Sequence, residues 1–167
     1  MTTCWSRLRH PIVIVGFCLA LGLALAHQAG LRLNTMGSIP LGLYRMSNDP
    51  IVNGAYVLWC PPERSEFDLA KERGYIGAGF CPGGYGSMMK KVVASHHDVV
   101  SVMDDGVTIN GTLMPASQPC EADSLGRPLP RFRVTDHVLA STELLLMSDT
   151  NSRSFDARYF GPVHRAH

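Results

Sequence analysis

An apolar run near the N-terminus constrains this chain more than any other feature. From Pro11 to Ala26 it holds no charged side chain, and it continues through His27, Gln28 and Ala29 to Leu31. About 20 helical residues are needed to cross the hydrocarbon of a bilayer, so residues 11–31 span it only when their weakly polar end reaches the interface. Arg7 and Arg9 precede the run and Arg32 follows it, a bias that keeps residues 1–10 in the cytoplasm and places residues 32–167 on the far side. A secretory signal cleaved after Ala24-Leu25-Ala26 is the other reading. Both export the rest of the chain, and we expect a retained anchor.

Beyond the anchor, the chain has the material for one core. The 167 residues are 46% hydrophobic and 17% charged, and 16 glycines with 11 prolines imply many turns. A net charge of +1 without a basic run argues against nucleic acid as a partner. Strand signals dominate. Asn53-Gly54 leads into Ala55–Trp59, and Asp98–Met103 turns at Asp104-Asp105-Gly106 into Val107–Gly111, a hairpin pattern. His137–Ala140 running into Leu144–Met147 reads as another apolar strand. One helix is expected over Glu63–Arg73, closed by Gly74. The proline-rich stretch Pro115–Pro130 reads as a surface excursion. The expected fold class is mainly β, with strongly curved antiparallel sheets behind one N-terminal transmembrane helix.

Two features carry chemistry. Gly37-Ser38-Ile39-Pro40-Leu41-Gly42 sets a serine in a turn just beyond the anchor, with Pro40 fixing the backbone and Gly42 freeing it. The chain has twelve arginines and only three lysines, two of them adjacent, Lys90 and Lys91, within the strand-like Ser87–Ala94. Strand alternation sends the two to opposite faces. With Met88, Lys90 and Val92 inward, Lys90 is buried, and desolvation eases loss of its proton, as a general base requires. An edge strand with two solvated lysines is the competing reading.

Three boxes in order then resemble the type I signal peptidase clan. Gly37–Tyr44 looks like its nucleophile box, Lys90-Lys91-Val92-Val93 is similar to its general-base strand, and Ser154–Val163 resembles the box that closes the site. The Gly42-Leu43-Tyr44 ending, the Cys81-Pro82-Gly83-Gly84 stretch and the small size are similar to the conjugative-transfer subgroup, the TraF-type peptidases. That resemblance implies a signal-peptidase-like fold, no cofactor, and maturation of a conjugative pilin precursor at the periplasmic face of a bacterial inner membrane. It makes Ser38 the nucleophile and Lys90 the base. Asp156 either supports catalysis by orienting Lys90, the role the resemblance favours, or pairs with Arg158. Ser154 is a candidate hydrogen-bond partner of the lysine or a plain strand serine.

Departures from the clan pattern bear on substrate range. Ala94-Ser95-His96-His97-Asp98 replaces a glycine-rich turn after the lysine strand, Ser148-Asp149-Thr150 replaces Gly-Asp-Asn, and Met36 stands where some of these enzymes carry an oxyanion-binding hydroxyl. The implied reaction is acyl transfer, ending by hydrolysis or by cyclisation onto the substrate's own N-terminal amine. A general leader peptidase and a non-catalytic periplasmic assembly component are the alternatives. The sequence carries no signal of oligomeric state.

Other clusters are weaker. His96-His97-Asp98 has no second cluster at ligand spacing, and adjacent histidines are expected to point apart, so no metal site is assigned. Cys81–Gly86 lacks the Gly-Lys-Ser/Thr ending of a phosphate loop and reads as a turn. Of five cysteines, Cys60, Cys81 and Cys120 lie beyond the anchor and permit one disulfide there. Both Cys81 and Cys120 sit in loops, which makes them the expected pair.

Overall fold

The computed structural model describes residues 4–165, which divide into two compact units. The first comprises the residues up to Thr35 together with Leu41–Asp49. Its helix α1 (Cys4–Gln28) exposes Ile12, Phe17, Leu19 and Leu23. Over Pro11–Gln28 the helix is apolar and none of it is buried, which suits lipid better than a protein core. Gly30 then turns the chain, and β1 (Leu31–Asn34) pairs antiparallel with β2 (Gly42–Arg45), Leu33 opposite Leu43 and Asn34 opposite Gly42.

The second unit comprises Met36–Pro40 and the chain from Pro50 onward. In order it contains β3 (Tyr56–Trp59), α2 (Ser65–Glu72), β4 (Ala78–Cys81), β5 (Met88–Ala94), β6 (Val99–Met103), β7 (Gly106–Ile109), β8 (Thr112–Leu113), β9 (Val134–Val138), β10 (Glu143–Met147), α3 (Ala157–Phe160) and β11 (Val163–His164). Two four-stranded sheets result, ordered β11-β10-β5-β3 and β8-β7-β6-β9, with every pairing antiparallel. The fold is thus mainly β, as the turn-separated strands predict. Register shifts between Leu145 and Leu146 and between Val100 and Val102 mark bulges, which bend the strands that carry them.

Sheet order decides the environment of the two lysines. β5 is an interior strand with β3 on one side and β10 on the other, Lys90 standing opposite Val57 and Val92 opposite Leu146. Its residues alternate buried and half-buried along its whole length. The edge-strand reading is therefore overturned.

Aromatic side chains fill the space under α2. Phe67 is fully buried, its ring 5.5 Å from Trp59 in an edge-on contact and 5.0 Å from Phe160. The helix ends where the sequence predicts. Gly74 has φ +78°, a conformation open to glycine, and the amides of Gly74 and Tyr75 return to the carbonyls of Lys71 and Ala70.

Two expectations are corrected. The run from His137 to Met147 is two strands in different sheets, β9 against β6 and β10 against β5. The turn between them is set by Glu143, whose carboxylate accepts the Ala140 amide at 2.9 Å and faces His137 at 3.0 Å. The disulfide joins Cys60 to Cys81, with Cα atoms 5.4 Å apart, and Cys120 is a free thiol. Cys60 follows the last residue of β3 and Cys81 ends β4, so tertiary packing brings together two positions that loop membership alone does not pair. The bridge closes a 21-residue span that contains α2, for which chain entropy predicts about 3 kcal/mol of stabilisation. Replacing both cysteines with serine is expected to lower the melting temperature by roughly 6–12 °C, measured by thermal unfolding in detergent. A melting temperature indifferent to reductant in the parent protein would contradict this.

Candidate active site

Ser38 sits in a turn of the Met36–Pro40 segment, half-buried, beside a fully packed Ile39. Its hydroxyl donates to the Met89 carbonyl at 3.3 Å, the peptide oxygen immediately before Lys90. Asn151 ties down the same turn, its Nδ2 donating to the Gly37 carbonyl at 3.2 Å. Ser38, Lys90 and Ser154 line one cleft of about 200 Å³, with Met36, Gly77 and Met88 among its other walls. Gly42 belongs to the hairpin unit, and Pro40 directly follows the turn.

Lys90 is 3% exposed, and its Nζ donates to Ser154 Oγ at 2.7 Å. Burial pushes its pKa down from 10.5 to about 8; the Asp156 carboxylate opposes that shift and the Arg158 guanidinium adds to it. Lys91, one residue on, behaves oppositely. Its Nζ pairs with Asp149 Oδ2 at 2.5 Å, and that hydrogen bond raises its pKa. Strand alternation has thus given adjacent lysines opposite electrostatics. Ser154 lies in the loop before α3, not in a strand, and of its two sequence readings the lysine contact is the one observed.

The closing box is a buried scaffold. Arg158 and Asp156 are both fully buried, paired through Nε to Oδ1 at 2.7 Å and Nη2 to Oδ2 at 2.8 Å. Asp156 also accepts the Ser148 amide at 3.0 Å. Arg158 spends its remaining donors on the carbonyls of Ala116, Asn151, Ser152 and Ser154. One guanidinium therefore holds the loop that sends Asn151 to the serine turn and Ser154 to the lysine. Asp156 pairs directly with Arg158 and reaches Lys90 only through its field.

Sequence reading did not find Asn151 or Asp149. Both act across long separations with no local pattern, although they fall in or beside the Ser148-Asp149-Thr150 departure from the clan pattern. The histidine expectation is corrected: His97 adopts φ +71°, and its ring lies with its centroid 3.4 Å from that of His96 rather than pointing away. Cys81 opens a short turn at Pro82–Gly84.

A family model described as signal peptidase, peptidase S26, matches residues 5–167. The chain belongs to the S26 signal peptidase family. It is 53% identical over 166 residues to a plasmid transfer protein TraF of Escherichia coli, covering 99% of this chain and 93% of that one. A second Escherichia coli plasmid transfer protein TraF is 50% identical over 162 residues, covering 97% and 92%. A probable conjugal transfer protein TraF of Sinorhizobium fredii is 37% identical over 141 residues, covering 82% and 72%. This S26 family member is therefore of the TraF type, and its apolar α1 and antiparallel sheets agree with that assignment.

Proposed function

We propose that the chain is a membrane-anchored serine endopeptidase, with Ser38 as nucleophile and Lys90 as general base, that matures a conjugative pilin precursor. One observation carries this reading: a lysine buried in the same cleft as the serine, with its pKa pushed down to about 8. A neutral amine has a lone pair. While Nζ donates to Ser154, that lone pair remains for the Ser38 proton. The Ser38 hydroxyl turns from the Met89 carbonyl toward Lys90 as substrate enters, in keeping with contacts that tighten only in the substrate complex.

Attack forms the bond from Ser38 Oγ to the substrate carbonyl carbon as the hydroxyl proton passes to Lys90. The Ser38 amide is the first donor to the resulting oxyanion, and Met36 supplies none from its side chain. The C–N bond then breaks while Lys90 returns the proton to the departing amine, leaving an ester on Ser38. Water releases a linear product; the substrate's own N-terminal amine releases a circle. Lys90 takes the proton of whichever attacks and returns it to Ser38 Oγ.

The same proposal places residues 1–10 in the cytoplasm, residues 11–31 across the inner membrane and residues 32–167 in the periplasm. Arg7 and Arg9 before the run and the unburied apolar α1 support it. The names of the TraF relatives, plasmid transfer and conjugal transfer proteins, support the conjugative setting.

The deciding experiment is mass spectrometry of the pilin precursor made with and without this chain. The expected product is truncated, and a circle is lighter than its linear counterpart by one water. Ser38→Ala should leave the precursor intact. The Ser38–Met89 hydrogen bond favours a second reading, a non-catalytic assembly component, in which the serine only seals the turn. Pilus formation and processing that persist in Ser38→Ala would decide for it.

A further inference from the structure

Beside the Ser38–Lys90 cleft lies a second cavity of about 350 Å³, which shares Tyr75, Arg153 and Phe155 with it as common walls. Leu129, Phe155 and Tyr159 make much of its surface apolar. Its volume falls in the range of small-ligand sites, enough for a short peptide segment.

The charges around it are unequally committed. Asp123 is fully engaged: it accepts from the Tyr75 hydroxyl, from Arg127 Nε at 2.7 Å, and from the amides of Leu125 and Arg127, each at 2.9 Å. Those partners, the Tyr75 hydroxyl foremost, hold its carboxyl well below the usual carboxylate range, and the pairing also occupies Arg127. Arg153 differs. Its backbone amide donates to Asn151 Oδ1 at 2.9 Å, but among the described residues its exposed guanidinium meets no carboxylate. An uncommitted guanidinium at the neck between two cavities presents a forked donor suited to a carboxylate.

The proton path gives the cavity a direction. Lys90 must reach the departing amine, and its Nζ is held by Ser154 Oγ, the residue next to Arg153. The departing half of the substrate thus leaves the scissile bond on the Ser154 side, where the second cavity opens. We propose that this cavity receives the segment C-terminal to the scissile bond and that Arg153 binds a carboxylate carried by that segment. The carboxylate is either an acidic side chain or the substrate's own C-terminus. This subsite rests on the peptidase reading of Ser38 and Lys90.

The test incubates the purified full-length chain in detergent with a library of synthetic decapeptides, half with free and half with amidated C-termini, and maps cleavage by mass spectrometry. Enrichment of Asp or Glu after the cleavage point in both halves identifies a side-chain carboxylate; preference for free over amidated peptides identifies the terminal one. Arg153→Gln should reduce the acidic-to-neutral ratio of kcat/KM by about 10-fold, the worth of one charge-assisted hydrogen bond. Arg153→Glu should invert the preference toward Lys and Arg. Cleavage with neither preference, or with one that Arg153→Glu leaves unchanged, overturns the subsite while the peptidase reading stands. No cleavage by the parent, or cleavage that survives Ser38→Ala, overturns the peptidase reading and the subsite with it.

Discussion

Replacing Lys90 with methionine is expected to abolish processing and, at the same time, to raise the melting temperature at pH 7. Both effects come from one buried amine. Folding lowers its pKa from 10.5 to about 8, so below pH 8 the folded protein holds a charge it would rather shed, at a cost of about 3 kcal/mol. Between pH 8 and 10.5 this amine binds more protons in the unfolded chain than in the folded one, so its contribution to stability rises with pH across that window and levels off above it. Methionine fills a similar volume and removes the cost. It also removes the Ser154 hydrogen bond, worth about 1 kcal/mol, so a net gain of roughly 2 kcal/mol remains. A lower melting temperature in the methionine variant at pH 7 would contradict the burial argument. Activity of the parent should climb with pH and level off above about pH 8, as expected when the neutral amine limits the rate.

Further substitutions at the two adjacent lysines separate charge from proton transfer. Lys90→Arg keeps the positive charge but cannot lose a proton near neutral pH, so it too should be inactive. Processing by that variant at more than roughly a tenth of the parent rate would exclude a general-base role, and with it the assignment of Ser38. Lys91→Ala, which removes only the Asp149 pair, should change activity by a modest factor.

The parts of this molecule legible in its sequence are those governed by short-range periodicity. Alternation along Met88–Ala94 placed Lys90 inward and Lys91 outward; Gly74 marked the end of α2; Asp104-Asp105-Gly106 marked a hairpin; the uncharged run from Pro11 to Ala26 marked α1. The features that stayed hidden depend on long-range packing. Nothing local tells Cys81 to choose Cys60 over Cys120, because the choice depends on where β3 and β4 come to lie. Nothing local splits His137–Met147 between two sheets, because the turn forms through Glu143 reaching back to Ala140 and His137. The Asn151 contact to Gly37 spans 114 positions and has no pattern at all. In the candidate site, residue type and placement pointed to Ser38 and Lys90 and the resemblance of the closing box pointed to Asp156, whereas the loop that connects them became visible only through the carbonyls that Arg158 gathers.

That loop leads to the largest expected loss of stability. Asp156 and Arg158 are paired out of contact with water, and removing one partner strands the other as a buried charge, at a cost of about 3–5 kcal/mol. Asp156→Asn and Arg158→Met should each lower the melting temperature by roughly 6 °C or more. The double variant should lose less than the sum, since neither charge is then stranded. The two single variants should part company in their pH profiles. Asp156 holds the Lys90 pKa up and Arg158 pushes it down, so Asp156→Asn should move the rise in activity below pH 8 and Arg158→Met should move it above. A purely structural ion pair would give equal losses and an unmoved profile. Opposite shifts would make Asp156 a positioning residue that acts on Lys90 through its field, and additive stability losses would show that the pair is not the unit its geometry describes.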